Sequence, residues 1–315
     1  MQRSTPASLP NSADRVVLSV NPTAGAGPSS VRVRRLCELL GQHGLEPETL
    51  TDLAEAGARA NRWQAQGRLR ALVGVGGDGT AAELVNRTEP GVPIAMLPAG
   101  TANLLSRYLR MGNSPEEVCR TILSGNLLRL DAGKAGQRVF LLNFSCGFDA
   151  DVVHRLHQRR AGHIRQISYF RPILQSIRRY RFPEIQIYCD YGDETPAAGR
   201  SLGRSVGWVL AFNLPCYGGG FPVAPQADGT DGLLDVCTFG RRSFWHGLRF
   251  VAAVVLRRHH RMPDCTTGRV RRLRLTCQEP VPYQLDGDPG GLLPLEIKVL
   301  PGRLTFVVPS PSEEG

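Results

Sequence analysis

Apolar residues in the first part of the chain form short runs that alternate with longer amphipathic segments. The runs Val16–Val20, Ala71–Val75 and Val92–Leu97 have the length and composition of buried strands. The segment from Pro28 to about Gly41 instead carries apolar residues at helical spacing. This alternation predicts a parallel sheet with helices on both faces. The other predicted elements of this part are a weak strand near Glu48–Thr51, a helix over Ala54–Gln66, a helix-compatible segment over Ala81–Arg87, a helix with Leu104 and Tyr108, and a helix that starts at the Ser114–Glu117 capping box.

From about Leu128 onward, strand patterns dominate. Period-two alternation, as in Val270–Thr276, predicts strands with one buried face. An arginine-rich helical insertion is predicted near Asp149–Tyr180. We therefore expect an α/β domain over 14–130 and a β-rich domain over 131–310. The strands predicted for the second domain are Val139–Phe144, Ile185–Cys189, Val206–Phe212, Leu233–Phe239, Val270–Thr276, and Leu295–Val308 with a break at Pro301-Gly302.

The composition is that of a globular protein: 315 residues, 42% hydrophobic and 21% charged. The eight cysteines form no C-x-x-C pair and most lie in apolar runs, which indicates free thiols and a reduced, cytoplasmic setting. Residues 1–14 lack the apolar segment of a signal peptide. The longest lipid-like run, Phe250–Leu256, is shorter than the roughly 20 residues that a membrane-spanning helix needs.

The net charge of +10 and two groups of arginines, within 155–181 and 241–261, favour an anionic partner. The second group flanks the apolar stretch 244–256. Basic residues beside aromatic and aliphatic ones are typical of segments that contact a membrane surface, although a buried helix with solvated arginine ends explains the pattern equally well. No nucleic-acid recognition motif accompanies the charge, so we expect peripheral membrane contact and no specific nucleic acid.

The most informative string is Gly74-Val75-Gly76-Gly77-Asp78-Gly79-Thr80, which lies between a predicted strand and a helix-compatible segment. Glycines in such a turn allow backbone N–H groups and a helix N-terminus to approach a phosphate. The dinucleotide pattern G-x-G-x-x-G is also satisfied, but the next strand ends at Pro98 without the acidic residue that such a site needs. The sequence contains no Walker A string and none of the H-R-D, D-F-G or A-P-E strings of protein kinases.

Together with other glycine loops and later motifs, this string resembles the diacylglycerol kinase catalytic-domain family, which includes sphingosine, ceramide and bacterial lipid kinases. The resemblance extends over about Arg15–Pro309. The residues that carry it are Asn21–Gly27 (N-P-x-x-G-x-G), Gly76–Asn86 (G-G-D-G-T-x-x-E-x-x-N), Pro98–Asn103 (P-x-G-T-x-N), Asn143–Ala150, Gly218–Pro225, Asp231–Val236 and Gln284–Asp288.

The resemblance implies an N-terminal three-layer α/β nucleotide-binding domain, a C-terminal β-sandwich domain, and an active site in the cleft between them. The implied reaction uses ATP and Mg²⁺ to phosphorylate a lipid hydroxyl, such as that of diacylglycerol or a sphingoid base. A structural Mg²⁺ would involve the carboxylate of Asp231 and backbone carbonyls near Asp228 and Leu233. The residues implied in ATP binding are Asn21, Thr51 (or Thr49 in its place), Gly76, Gly77, Asp78, Gly79, Thr80, Glu83 and Thr101.

Asp286 is the implied base that accepts the proton of the lipid hydroxyl, and Asp78 is its main rival. The segment Asp286-Gly287-Asp288 also fits a D-G turn between two strands. Asp288 stands where the family usually has glutamate, which puts the metal arrangement and the rate in doubt. The alternatives are NAD kinase-like phosphorylation of a soluble acceptor and a non-catalytic lipid- or nucleotide-binding relative. The sequence leaves open which lipid is the acceptor and whether the chain forms a homodimer.

Overall fold

A computed structural model describes residues 9–10, 12–20, 28–158, 180, 183–190, 204–215, 217, 223–240, 249, 252–254, 256 and 258–310. The chain divides into two compact units. Unit 1 comprises Met1–Leu130 and Gly302–Gly315, and unit 2 comprises Asp131–Pro301. Within the described ranges, every helix is too short or too polar to cross a bilayer.

Unit 1 is built on parallel strands. These are β1 (Arg15–Val20), β2 (Glu46–Leu50), β3 (Leu69–Gly76) and β4 (Pro93–Pro98), in the order β2-β1-β3-β4. The helices are α1 (Pro28–Gln42), α2 (Leu53–Ala65), α3 (Asp78–Arg87), α4 (Leu104–Tyr108) and α5 (Pro115–Ser124). Strands β3 and β4 are buried along their whole length, as expected of apolar runs in a parallel sheet. The predicted parallel α/β architecture is confirmed.

Local sequence sets the starts of two helices of unit 1. The predicted capping box is present at α5: Ser114 Oγ accepts the Glu117 N–H at 3.2 Å, and the Glu117 carboxylate accepts the Ser114 N–H at 3.0 Å. Helix α3 begins at Asp78, earlier than the predicted Ala81, with Gly77 as its N-cap. Gly74 to Gly76 of the glycine string therefore end β3, and Asp78 to Thr80 form the first turn of α3, so the string is not a separate loop.

Unit 2 consists mainly of antiparallel strands. The elements from Leu127 onward are β5 (Leu127–Ala135), β6 (Arg138–Phe140), β7 (Asn143–Cys146), α6 (Phe148–Gln158), β8 (Ile185–Asp190), β9 (Arg204–Val206), β10 (Trp208–Phe212), β11 (Leu234–Phe239), β12 (Cys265–Val270), β13 (Arg272–Cys277), β14 (Pro282–Leu285), β15 (Asp288–Leu292) and β16 (Leu295–Val307). One sheet has the order β12-β11-β10-β7-β14-β15. Strand β13 pairs antiparallel with β8 and with the first part of β16. The predicted β-sandwich is confirmed.

The core of unit 2 lies between these two layers of strands. Phe144 and Val209 of the six-stranded sheet pack in one cluster with Ile187, Leu273 and Ile297 of the other layer. A second apolar cluster, with Phe148, Trp208, Leu210, Phe212 and Phe239 among its members, lies on the other face of the six-stranded sheet. The central strands β7 and β10 of the six-stranded sheet are therefore buried on both faces.

Some strands differ from the prediction. Val139–Phe144 and Val206–Phe212 are each divided, at Leu141-Leu142 and at Gly207. The predicted break at Pro301-Gly302 is wrong, because β16 continues through it. Both residues are exposed and lie between the segment paired with β13, which ends at Lys298, and the segment paired with β4, which starts at Thr305. The missing N–H of Pro301 thus costs no ladder bond with either strand.

The pairing of Thr305 and Phe306 with β4 accounts for the assignment of Gly302–Gly315 to unit 1, whereas the predicted second domain extended to residue 310. Of the predicted helical insertion near Asp149–Tyr180, the structure describes α6. Residues 159–179 lie outside the described part of the chain.

Candidate functional site

The glycine string lies at the carboxyl end of β3 and the start of α3. Gly76 ends the strand, and Gly77 precedes the first helical residue, Asp78. A Cβ placed on Gly76 would lie 2.1 Å from Thr80 Oγ1, so the Thr80 hydroxyl fills the space that only glycine leaves there. The turn therefore combines a bare backbone with a helix N-terminus, which is the arrangement that favours an anion.

The second described glycine loop, Pro98–Asn103, touches the first. A Cβ on Gly100 would lie 2.7 Å from Gly77 Cα and 2.8 Å from Asn103 Oδ1. Asn103 adopts the left-handed conformation, with φ of 48°, and its side chain accepts from the Gly100 N–H at 3.1 Å and donates to the Gly100 carbonyl at 2.8 Å. The ends of β3 and β4 thus form one continuous backbone surface, which we call the glycine surface (Gly76–Thr80 and Ala99–Asn103).

Asp78 fastens the glycine surface to α4. Its carboxylate accepts the backbone N–H groups of Leu104 at 3.0 Å and Leu105 at 2.9 Å, which are the first residues of that helix. These bonds satisfy helix N–H groups that have no partner inside the helix. Asp78 therefore has a structural task in unit 1 beside the role implied by the resemblance.

The remaining predicted nucleotide-binding residues differ in their exposure and in their side-chain partners. Thr101 is exposed within the glycine surface, and Glu83 on α3 forms an ion pair with Arg87. Thr51 is exposed just past the end of β2, whereas the hydroxyl of Thr49 lies 3.7 Å from Cys37 Sγ. Asn21 and the rest of the loop 21–27 lie outside the described residues.

A cation that was not predicted lies beside the glycine surface. Arg32 on α1 donates from Nη1 to the Pro98 carbonyl at 2.9 Å and from Nη2 to the Asn113 carbonyl. The fold places Arg32 here, because α1 follows the loop after β1 and the last residue of β4, Pro98, lies near α1. No motif in the string around Arg32 indicated this contact.

In unit 2, Asp286 and Gly287 form the two-residue turn between β14 and β15. Their φ values are 52° and 89°, as in the primed turns that suit tight hairpins. The Asp286 carboxylate accepts backbone N–H groups from Leu141 at 2.7 Å, Leu142 at 2.8 Å and Asn143 at 3.0 Å. The prediction of a D-G turn is confirmed, and this carboxylate also holds the segment that joins β6 to β7.

The predicted metal-binding turn is held by its own carboxylates. Asp231 Oδ1 accepts the Leu233 N–H at 2.9 Å, and Asp228 Oδ1 accepts from the Thr230 N–H at 3.1 Å. Asp131, which was not predicted, accepts the Gly232 N–H at 2.7 Å. In the described part of the chain, no group of three or more His, Cys, Asp or Glu side chains could hold a metal ion. A site made of one carboxylate and carbonyls stays a prediction.

Burial affects the acidic groups near this turn. It raises the pKa of Asp231 and of Asp235 on β11, while the Arg269 guanidinium acts in the opposite direction on both. Arg269 Nε lies 3.5 Å from Asp235 Oδ1, and its Nη1 lies 3.6 Å from Asp231 Oδ2. Asp235 Oδ2 is buried without a hydrogen-bond partner among the described residues. Among the described residues, Asp228, Asp231 and Asp235 carry more negative charge than Arg269 offsets, which suits a cation.

The sequence matches two protein-family models and known kinases. The family model for the diacylglycerol kinase catalytic domain matches residues 15–135, and that for the YegS C-terminal NAD kinase beta sandwich-like domain matches residues 143–308. The diacylglycerol kinase of Bacillus subtilis (strain 168) is 23% identical over 308 residues, which cover 95% of this chain and 98% of the relative.

Solved structures share the fold. A candidate diacylglycerol kinase from Bacillus anthracis str. Sterne superposes with a TM-score of 0.72 at 20% identity, covering 95% of this chain and 97% of that one. An NAD kinase from Archaeoglobus fulgidus in complex with ATP gives a TM-score of 0.51 at 13% identity, covering 93% and 92%. With the two family models matching nearly the whole described sequence, the chain belongs to the diacylglycerol kinase catalytic-domain family, with a YegS-type C-terminal domain.

Proposed function

We propose that this chain is an ATP-dependent lipid kinase that transfers the γ-phosphoryl group to a lipid hydroxyl. The observation that carries the proposal is the glycine surface, where Gly77 and Gly100 meet too closely for any side chain. Phosphoryl transfer needs positioned donors and charge neutralisation more than covalent chemistry from the protein. A backbone surface at the start of a helix supplies such donors.

Phosphate binding is assigned to the residues of the glycine surface. Gly76 to Thr80 and Thr101 would contact the phosphates, and Asn21, Thr51 and Glu83 would lie toward the rest of the nucleotide. Because Gly77 and Gly100 are in contact and carry no side chains, an anion could approach the backbone of both loops closely. Asp78 accepts hydrogen bonds from the α4 N–H groups, so it would act mainly by stabilising the conformation of this surface.

Asp286 is proposed as the base for the acceptor hydroxyl. An alcohol has a pKa far above 7, so a base contributes by accepting the proton as the transition state forms. Three backbone N–H groups hold the Asp286 carboxylate in one orientation, as two hold that of Asp78, so the choice of Asp286 rests on the family resemblance. Asp78 is the alternative base, and its substitution distinguishes the two.

Mg²⁺ is proposed as the metal, with two places that the residues fit. On bound ATP it would neutralise phosphate charge. At the turn after Ala227, the Asp231 carboxylate offers the hard oxygens that Mg²⁺ prefers, as does Asp235 Oδ2 on β11, which has no hydrogen-bond partner in the described part of the chain. Asp231, with backbone oxygens near Asp228 and Leu233, would hold a structural ion there.

We also propose peripheral contact with an anionic membrane, in the cytoplasm. Part of the arginine-flanked stretch 244–256 is described: Arg249 and Leu256 are exposed, the latter by 66%, whereas Val254 is buried. Sedimentation with vesicles of neutral lipid and vesicles containing anionic lipid tests this. Binding should rise with the anionic fraction and fall with salt. Binding that is insensitive to both would contradict it.

Phosphorylation of NAD is the second candidate function, favoured by the shared fold of the NAD kinase structure and by the description of the C-terminal family model. The full chain would be incubated with labelled ATP and either a mixed lipid extract or NAD. Label in lipid, lost in Asp286→Asn and kept in Asp190→Asn, supports the lipid kinase. Asp190 is an exposed aspartate at the end of β8 and provides a matched control. NADP formation without labelled lipid would overturn the proposal, and no product with either acceptor would favour a non-catalytic relative.

A further inference from the structure

The six-stranded sheet of unit 2 carries polar side chains on one of its two buried faces. On β7, Phe144 points into the core between the two layers, so Asn143 and Ser145 point to the opposite face. Both are buried, with exposures of 4% and 0%. Their partners across the ladder on β10, Phe212 and Leu210, belong to the second apolar cluster. Two polar side chains are thus buried beside apolar ones.

A chain of hydrogen bonds connects these side chains to the turn between β14 and β15. Gln284, which is 2% exposed and faces Ser145 across the ladder, donates from Nε2 to Asn143 Oδ1 at 2.9 Å and to Ser145 Oγ at 2.7 Å. Its Oε1 accepts the Gly287 N–H at 2.7 Å. The Ser145 hydroxyl donates to Asp149 Oδ2. This series of hydrogen bonds therefore runs from the turn between β14 and β15 to the Asp149 carboxylate in the first turn of α6.

Asp149 is buried among neutral donors. Trp208 Nε1 donates to Oδ1 at 2.6 Å, and the Tyr217 hydroxyl donates to Oδ2 at 2.5 Å. Burial raises the pKa of Asp149, and the hydrogen bonds from Ser145, Tyr217 and Trp208 oppose that rise. Burying a carboxylate in this way costs more than packing an apolar group. An ionised carboxylate can only accept hydrogen bonds, so it fixes the orientation of the donors around it.

We infer that Asp149 is a positioning residue for the turn that carries Asp286. As the last acceptor it orients the Ser145 hydroxyl, Ser145 orients the Gln284 amide, and Gln284 holds the Gly287 N–H. The same carboxylate holds Tyr217, which directly precedes Gly218-Gly220 in the sequence. Where activity is measured, this inference rests on the proposed function, since it explains how the proposed base is held.

Kinetics of two conservative variants test the inference. Ser145→Ala removes the middle of the chain, and Asp149→Asn replaces its acceptor at nearly constant shape. Each should lower kcat with the lipid acceptor about 10- to 100-fold, because a slightly displaced reacting group costs that much. KM for ATP should stay within about twofold of wild type, since only the transition state is affected. The double variant should be no slower than the slower single variant, because both changes break one chain.

Amide hydrogen exchange on the full chain provides a readout that does not depend on activity. Exchange at residues 286–288 should be faster in both variants, with exchange in β11 unchanged. Thr238→Val is the control, because it removes another buried hydroxyl of the same sheet that lies outside the chain of hydrogen bonds. It should alter neither exchange at 286–288 nor kcat.

The outcomes separate the inference from the proposed function. Unchanged exchange at 286–288 would overturn the inference, and so would an equal increase in β11, which indicates general loosening of unit 2. Wild-type kcat in both variants of an active kinase would overturn it as well. A wild-type chain that phosphorylates no acceptor would end the proposed function, while the exchange result would still decide whether Asp149 positions the turn.

Discussion

The two units hold their candidate catalytic carboxylates in different ways. In unit 1 the glycine surface is formed by backbone contact, since a Cβ on Gly100 would lie 2.7 Å from Gly77 Cα. Asp78 adds hydrogen bonds to one short helix. In unit 2 the turn with Asp286 is held by hydrogen bonds, three into the carboxylate and one from Gly287 to Gln284. The site in unit 1 depends on glycines, which have no side chain, whereas the turn in unit 2 depends on polar side chains from separate strands.

The two units should therefore tolerate different substitutions. In unit 1, a side chain added to the glycine surface should reduce stability and ATP binding, because it would clash with backbone atoms that cannot move away. Removing polar atoms should be harmful in unit 2, because each loss leaves a buried donor without an acceptor.

The largest effect is expected for Asp286→Asn. Loss of the base should lower kcat by about 10²- to 10⁴-fold. Loss of one backbone acceptor should also cost about 1–3 kcal/mol in the free energy of unfolding, measured by urea denaturation. Asp78→Asn should instead raise KM for ATP and lower kcat less, because its carboxylate shapes the glycine surface. If Asp78→Asn gave the larger loss of kcat at saturating ATP, Asp78 would be the base.

Gly100→Ala tests the backbone contact of unit 1. The added methyl group meets Gly77 Cα and Asn103 Oδ1, so the two loops must separate. We expect KM for ATP to rise by about tenfold or more and the free energy of unfolding to fall by about 1–3 kcal/mol. Gly41→Ala is the matched control, because nothing lies within 4 Å of a Cβ there. In helix α1 this change should stabilise slightly. Equal behaviour of the two variants would refute the close contact.

Asp149→Asn tests the buried carboxylate of unit 2 through pH. Burial raises the pKa of Asp149 in the folded chain above its unfolded value. At pH values above the raised pKa, Asp149 is ionised in both states and its burial opposes folding. As pH falls through the raised pKa toward about 4, the folded chain takes up the proton and this penalty is relieved. Wild type should therefore gain stability relative to Asp149→Asn on acidification. Urea denaturation of both proteins from about pH 8 down to about pH 4 measures it, and a difference that stays constant over that range would exclude the raised pKa.

The smallest effect is expected for Asp288→Glu, which introduces the residue that the family usually has. The Asp288 side chain is 36% exposed, with Oδ1 3.8 Å from His157 Nε2, so a longer carboxylate can be accommodated. We expect kcat to change by less than about tenfold, which corresponds to less than ~1.4 kcal/mol in the activation free energy. A larger gain in kcat would mean that the shorter side chain limits the present enzyme.

The sequence predicted the site of unit 1 better than that of unit 2 for a physical reason. The glycine string is contiguous, so its turn and helix start could be recognised, although the helix begins at Asp78 because glycine and threonine there accept helical geometry. The contact between Gly77 and Gly100 joins two loops and could be inferred only from the parallel order of β3 and β4. Arg32 was missed because its contact depends on the packing of α1.

In unit 2 the D-G turn was predictable from two residues, but the bonds that hold it were not. Gln284, Ser145 and Asp149 come together because β7 and β14 pair in one register and α6 follows β7. Period-two alternation places Ser145 on the face opposite Phe144, yet a buried polar face looks like a solvent face in the sequence. For the same reason the buried Asp131 gave no signal in the sequence.

The most direct test of the proposed lipid kinase activity uses ATP labelled in two positions. The full chain is incubated with vesicles of mixed lipid extract and Mg²⁺, and the organic phase is analysed. Label from the γ-phosphate should enter a lipid product and label from the α-phosphate should not, with the product lost in Asp286→Asn. Absence of γ-label in every lipid, under conditions where the wild-type chain binds ATP, would contradict the account.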